Sequence, residues 1–475
     1  MLLIFLMSCD VEETQDLQSE EVSILPQPKG EQLHASKAIV DGVPYAWTGH
    51  ALASIPDFDG DDTPELAVGA YGIDHEGLQS GAIYVFTSTD LQDSNPSFQN
   101  PSFEIYGEEP KDHFGYQMAS NCDVDGDGLG DILISAPYNK KVHLFWGDSI
   151  SESTRSSSDS NHFFLGENAG DYLGWSMACI GDWDGDGGTE ILLGADGSDY
   201  GGFSSGLNYM VLSSSISEDR QFNIEDADYK YIGSQDLENA GQSVAALGDV
   251  NGDGLQELLI GGDGNSEAAN EGGAAYLITS PSLRNVDISL QDAPFRFLGS
   301  RKLGAAGTSL RDAGDVDGDG LSDIIIGAPF PDASASHKGR AYLIYASQLT
   351  QGTMLLEEAG SILIGKAENA AWSLGSLEDL EDDGGCEVLI GAPALYRYQD
   401  PGRVYVVYSS QIKNGGSFNL HKSNTYAQGE NARDRFGKAM LTLGDLDGNG
   451  LEDFVVAAPE YGLQAGAVYL FSGAQ

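Results

Sequence analysis

Seven times along this 475-residue chain, a nine-residue stretch places oxygen donors at positions 1, 3, 5, 7 and 9. Two copies, Asp123-Val-Asp-Gly-Asp-Gly-Leu-Gly-Asp131 and Asp315-Val-Asp-Gly-Asp-Gly-Leu-Ser-Asp323, carry an acid at every side-chain position. The donors of the first are the carboxylates of Asp123, Asp125, Asp127 and Asp131 and the backbone carbonyl of Leu129; those of the second are Asp315, Asp317, Asp319, Asp323 and the carbonyl of Leu321. A third copy offers Asp182, Asp184, Asp186, Glu190 and the Gly188 carbonyl. Glycines at positions 4 and 6 permit a tight backbone that turns alternate side chains inward, the logic of the first part of an EF-hand loop. Hard oxygen ligands without His or Cys select calcium over zinc or copper, and magnesium, which demands a stricter octahedron, is second choice.

The remaining four copies depart from this pattern in graded ways. Asn replaces one acid in the set Asp249, Asn251, Asp253, Leu255, Glu257 and in the set Asp445, Asp447, Asn449, Leu451, Asp453. Asn still offers a carbonyl oxygen. The set Asp57, Asp59, Asp61, Thr63, Glu65 has Asp62 where the sixth-position glycine belongs. The set Asp379, Glu381, Asp383, Gly385, Glu387 has a longer acid at position 3 and Asp382 at position 4. It is the weakest candidate, because crowded acids without a well-shaped cage repel one another. Asp-Gly is also a hairpin signal, but a hairpin needs no acid at four positions together. The expected complement is therefore up to seven calcium ions, with the loop at 379 in doubt.

Charge agrees with cation binding. There are 74 acids against 23 bases, for a formal net charge of −51. Loop positions 1, 3, 5 and 9 hold 26 of the acids, and the other 48 still outnumber the bases, so the rest of the surface is acidic too. A field of that sign repels nucleic acid and anionic membrane and favours metal ions or basic partners.

The elements that must position these loops follow from the period. Successive loops start 66, 59, 67, 66, 64 and 66 residues apart, which signals a repeat architecture. In the second unit, Phe103–Gly107 reads as a short strand ending in Gly, and a second strand starts at Phe114-Gly115. The loop 123–131 follows, then the continuous apolar run Ile132–Pro137, as expected of a strand buried on both faces, and then Val142–Trp146. Four short strands joined by turns, with no helical period, predict antiparallel sheets. Seven such units predict an all-β, seven-bladed β-propeller of four-stranded antiparallel blades over residues 36–475. The chain stops after the strand Gly466–Phe471, so the segment 36–42 is expected to complete the last blade and close the ring.

Residues 1–9, ending Leu6-Met7-Ser8-Cys9, resemble a bacterial lipoprotein signal with Cys9 as the lipidation site, although they lack a leading Lys or Arg and the apolar stretch is short. Residues 10–35, acidic and with Pro26 and Pro28, read as a flexible tether. Export to a cell envelope or to the medium is the expectation, with membrane contact only through such an anchor. Cys122 and Cys179 lie just before consecutive loops with equal strand parity. We expect two buried thiols there, with a disulfide as the alternative.

Further motifs frame the loops: Phe114-Gly115 and Phe436-Gly437 before them, Gly327-Ala-Pro329 and Gly391-Ala-Pro393 after them. Weaker versions are Leu173-Gly174, Ala240-Gly241, Gly69-Ala70 and Ala457-Ala-Pro459, and Ala370-Ala371 departs from the pattern. With these motifs the chain resembles the FG-GAP repeat family, whose best-known members are the integrin α-subunit propellers. The resemblance implies calcium in the loops between the first two strands of each blade, on one face, with partners on the opposite face. On that face, turns would present Tyr71, Tyr138, Phe330, Tyr396 and Tyr461, which we expect chiefly to plug the propeller mouth.

Catalytic signatures are sparse. The eight histidines are scattered, and Gly174-Trp-Ser-Met-Ala lacks the last glycine of a nucleophile elbow. The first reading is a calcium-binding, cell-surface or secreted propeller that engages protein or glycan in adhesion. The second is an exported enzyme that cleaves polysaccharide or phosphoester. A shifted carboxylate pair in a deep central pocket would favour the second; a broad aromatic rim would favour the first.

Overall fold

The computed structural model describes residues 32–473, apart from 56, 58–60, 62, 76, 94–95, 151–153, 218, 280–285, 331–337, 367, 396–398 and 424. The signal-like segment with Cys9 and most of the tether lie outside the described residues.

Seven sheets form seven blades. From the axis outward, blade 2 runs Met118–Cys122, Asp131–Ala136, Lys141–Phe145 and His162–Leu165, all antiparallel. The innermost strands of the others are Leu52–Ile55, Ser176–Cys179, Ala240–Leu247, Ser309–Gly314, Ser373–Leu377 and Ala439–Gly444. The second strands, such as Glu65–Ala70, Asp323–Ala328 and Glu387–Ala392, are buried at every residue. Each is covered on both faces by neighbouring blades, which is why the sequence there is continuously apolar. The cores are accordingly inter-blade: Ile83 and Val85 of blade 1 pack with Ile132 and Ile134 of blade 2.

The two flanking motifs have a steric origin. In blade 1 the Gly69 N–H donates to the Ala51 carbonyl and the Gly69 C=O accepts from Gly49, just ahead of the first strand, and a Cβ on Gly69 would lie 2.3 Å from the Gly115 carbonyl of blade 2. Gly115 itself takes φ 82°. At this contact adjacent blades meet backbone to backbone, and a side chain at Gly69 would collide with the neighbouring carbonyl. In blade 6, Ala371 takes the Phe-Gly glycine's place at φ 64°.

Ring closure is as expected. Lys37–Val40 pairs antiparallel with Ala467–Phe471 as the outermost strand of blade 7. Val455 and Val468 of that blade share a core with Leu66 and Val68 of blade 1.

Three features differ from the sequence reading. First, repeat and blade are out of phase by one strand: Phe103–Tyr106, which opens the second repeat, is the outer strand of blade 1. Second, five sheets carry a fifth, parallel strand. In four of them it comes from the connection before the next blade's outer strand; Gln221–Asn223, for example, pairs with Phe163–Leu165. A 3₁₀ turn follows and buries an anchor: Ile224, Leu290, Leu356 or Leu420. These latches cover edges that would otherwise be open. For blade 6 the latch is Gln32–Leu33, inside the segment read as a tether. Third, Cys122 and Cys179 form a disulfide, not two thiols. The first strands of blades 2 and 3 run side by side, with 5.4 Å between the two Cα atoms, inside the range a disulfide spans.

Among the described residues, no helix is long and apolar enough to cross a membrane.

Candidate metal loops and the opposite face

Each acidic loop joins the first strand of its blade to the second, so all seven lie on one face of the ring. Position 1 organises the loop. Asp315 Oδ1 accepts from the Gly318 and Asp319 amides at 2.7 and 3.0 Å, and its Oδ2 accepts from Gly320 at 2.7 Å. Asp249, Asp379 and Asp445 are bonded similarly. Gly318 and Gly320 sit at φ 81° and 92°, the left-handed backbone expected at positions 4 and 6, and Asp382 adopts φ 53° in its loop. Position 5 closes the turn by accepting from the position-7 amide at 2.8–3.2 Å, in Asp61, Asp127, Asp186, Asp253, Asp319, Asp383 and Asn449. Of the position-7 residues, Leu129 and Leu255 are exposed.

Position 9 is a strut. It opens or directly precedes the second strand, and Glu65, Asp131, Glu190, Glu257, Asp323, Glu387 and Asp453 are all buried. One oxygen accepts from the position-2 amide, as in Val124 to Asp131 at 2.8 Å. The other accepts in three blades from just beyond the third strand, through Gly147, Ala346 and Gly473 at 2.8–2.9 Å. Burial first, then the neighbouring loop carboxylates, pushes Asp131, Glu190, Glu257, Asp323 and Glu387 up to about 7 and Asp453 to about 6.

Four loops bring three carboxylates within 4.8 Å of one another: Asp123, Asp125 and Asp127; Asp182, Asp184 and Asp186; Asp315, Asp317 and Asp323; Asp445, Asp447 and Asp453. In these loops Asp123 Oδ1, Glu190 Oε1 and Asp317 Oδ1 are buried without a hydrogen-bond partner among the described residues. Clustered carboxylates with unused buried oxygens fit a hard divalent cation. The other three loops differ. Asp59 lies outside the described residues, while Asp61 accepts from the hydroxyls of Thr63 and Ser88. Asn251 Nδ2 bridges Glu257 Oε1 at 2.5 Å and Asp253 Oδ2 at 3.1 Å. In the loop at 379, Lys413 Nζ lies 2.8 Å from Asp383 Oδ2.

The opposite face is built by the turns that start the first strands and end the second. The residue after each Phe-Gly-like pair stands a few positions ahead of the first-strand residues that line an axial channel of about 620 Å³, among them Met118, Cys179, Val244, Arg311 and Thr442. The residues after the pairs are His50, Tyr116, Trp175, Gln242, Thr308, Trp372 and Lys438. His50 packs on Tyr116 at 4.7 Å and Tyr116 on Trp175 at 5.0 Å; Lys438 Nζ sits 3.8 Å over the Trp372 ring. Sequence reasoning missed this ring, although its position directly after Phe-Gly marks it. Tyr71 joins it through His50 and Tyr116, and Phe330 packs on Trp372. Tyr461 is half-buried, Tyr396 lies outside the described residues, and Tyr138 stays 44% exposed. Tyr200, Phe203, Leu237 and Leu463 on neighbouring turns are exposed as well.

Asp196 and Asp263 were also missed. They follow their second strands where Pro137, Pro329, Pro393 and Pro459 stand in four other blades. Burial, reinforced by Asp263, raises Asp196 to about 7, and burial raises Asp263 as well. Asp196 Oδ1 has no hydrogen-bond partner among the described residues. The pair lines neither the channel nor a rim cavity of about 530 Å³ bounded by Glu167, Asp171, Asp199, Tyr200 and Tyr209.

The family and sequence comparisons with known proteins agree with this architecture. The FG-GAP repeat family matches residues 240–278, 312–344 and 439–471. Phosphatidylinositol-glycan-specific phospholipase D of Rattus norvegicus is 26% identical over 406 residues, 77% of this chain and 46% of that protein. Integrin alpha-4 of Xenopus laevis is 36% identical over 156 residues, 32% of this chain and 13% of that one. The chain spans about half the length of the phospholipase relatives it matches. Among solved structures, BBS1N in complex with ARL6DN, soaked with mercury, aligns over 93% of this chain and 97% of that one, with TM-score 0.46 and 10% identity. The chain thus carries FG-GAP repeats in a seven-bladed, integrin-α-like β-propeller.

Proposed function

We propose that this protein is an exported adhesion module, a propeller held in shape by calcium that engages a protein or glycan partner through the face opposite its metal loops. The observation that carries the reading is the contrast between the faces. The loops repeat one design of hard oxygen donors, with buried carboxylate oxygens left unused. The opposite face exposes Tyr138, Tyr200 and Phe203 and half-buries two carboxylates. Exposed aromatics beside polar groups are typical of recognition surfaces. Export is supported by the likeness to integrin α chains and by the Cys9 signal, and a lipid anchor at Cys9 is part of the proposal. The test is a screen of the full chain against glycans and surface proteins in calcium. Tyr138→Ala with Phe203→Ala should weaken a captured ligand at least tenfold, and Leu129→Ala on the loop face should not; the reverse pattern overturns the placement.

Phosphoester cleavage is the second reading. It is favoured by the phospholipase relatives and by the raised Asp196–Asp263 pair, although that pair lies outside both cavities. Hydrolysis of a phosphatidylinositol-glycan or an activated phosphodiester that disappears in Asp196→Asn/Asp263→Asn would replace the adhesion reading.

A further inference from the structure

Blade 6 breaks the loop design at several points, and they converge on one side chain. Its loop carries acids at 379, 381, 382, 383 and 387, more than any clustered loop needs. Yet it is not among the loops whose carboxylates gather three within 4.8 Å. The segment after the third strand, Arg403–Val407, explains why. It turns through a one-turn helix, Ser409–Ile412, and lays three donors on the loop. Ser409 Oγ donates to Asp383 Oδ1 at 2.6 Å, and Ser410 Oγ donates to Glu381. Lys413 Nζ donates to Asp383 Oδ2 at 2.8 Å and reaches the Asp383 carbonyl at 3.5 Å. The backbone holds Lys413 in place, because its amide donates to the Ser409 carbonyl at 2.8 Å. Both side chains of the pair are partly screened from solvent, at 31% and 22% exposure.

Position 5 is one of the side-chain donors that each loop presents. A divalent ion coordinated by Asp383 would sit within a few ångströms of the Lys413 ammonium. Like charges at that distance repel. A Lys ammonium donates three hydrogen bonds and accepts none, so it can replace the ion's charge but not share its ligands. We infer that Lys413 is a built-in cation that replaces the metal in the loop 379–387, so that blade 6 is closed by an ion pair while the loops whose carboxylates cluster take calcium. The inference rests on the calcium reading for those other loops. It adds that the metal complement stops short of seven, and it names the residue that decides this.

The test uses the full chain and calcium itself. Calcium stoichiometry is measured by calorimetric titration and elemental analysis for wild type, Asp383→Ala, Lys413→Met and, as a reference loop, Asp127→Ala. Asp127→Ala should remove one site and Asp383→Ala none. Lys413→Met, which keeps the length and apolar stem, should add one site. Loss of one site in Asp383→Ala, or no gain in Lys413→Met, overturns the inference. A second readout does not depend on metal. In chelator, Lys413→Met and Asp383→Ala should each lower the melting temperature, and the double variant should fall by less than the two together, because the partners are coupled. Additive losses there overturn the pair. If wild type and all variants bind no calcium while the coupling persists, the calcium reading fails and the ion pair stands.

Discussion

The two faces of this ring are built by the same repeat, yet one is seven versions of a single device and the other varies from blade to blade. On the loop face, position 1 gathers the amides, position 5 closes the turn and position 9 ties the loop to its sheet. On the opposite face the equivalent positions hold His50, Tyr116, Trp175, Gln242, Thr308, Trp372 and Lys438, with Tyr71 and Phe330 packed against members of that ring. A constraint shared by every blade, closing a hairpin full of acids, keeps a design uniform. Where only the rim of the channel must be filled, side chains are free to diverge, and a patch of exposed aromatics and buried acids can form on one arc. The contrast separates stability, which should reside mainly in the loops, from recognition, which should reside opposite.

Removing the metal is the largest way to break the comparison. A ligand that binds only the folded state stabilises it by about 2.7 kcal/mol at a hundredfold excess over Kd. Several loops acting together should make the melting temperature fall by roughly 15 °C or more in chelator. An unchanged melting temperature would remove calcium from the loop face and leave its uniformity to turn geometry alone. Severing the Cys122–Cys179 bridge should come next. It joins the first strands of blades 2 and 3 near their loop ends and closes a separation of 57 residues. Chain entropy makes such a crosslink worth ~4 kcal/mol. Cys122→Ser/Cys179→Ser should therefore unfold at a lower denaturant concentration than wild type, and reductant should shift wild type to match it. A wild type insensitive to reductant would show that the thiols stand apart.

The legibility of the chain follows the same division. The loops could be read because every position obeys a local rule of donor spacing and turn geometry, and the second strands because burial on both faces leaves an unbroken apolar run such as Ile132–Ala136. The latches could not be read. Gln221–Asn223 and Gly416–Asn419 are short and largely exposed, and nothing in their own residues marks a strand; the edge of the neighbouring blade makes them one. Lys413 was invisible for a related reason, since it meets Asp383 across 30 residues of chain. The parity of Cys122 and Cys179 suggested a shared face but carried no distance. The repeat reports what each unit needs for itself, and the contacts between units have to be seen.

The smallest expected effect has the opposite sign and tests whether the opposite face is shaped by function. Asp196 stands where four other blades place proline, and burial, with Asp263 beside it, lifts its carboxyl from 3.8 to about 7. A folded-state value above the unfolded one means that the fold favours the neutral form. The group therefore costs little at pH 4, and its cost grows as pH rises from about 4 to about 7, where the unfolded chain releases the proton and the folded chain resists. Asp196→Asn keeps the shape without the charge. It should leave stability at pH 4 unchanged and raise it at pH 8 by ~1–2 kcal/mol, well below the full shift because the site is only partly screened from water. Thermal melts at the two pH values decide the matter. A stabilised variant that also loses its ligand would show a carboxylate kept for binding at the expense of the fold. A destabilised one would make Asp196 part of the scaffold and move recognition out toward Tyr138 and Phe203.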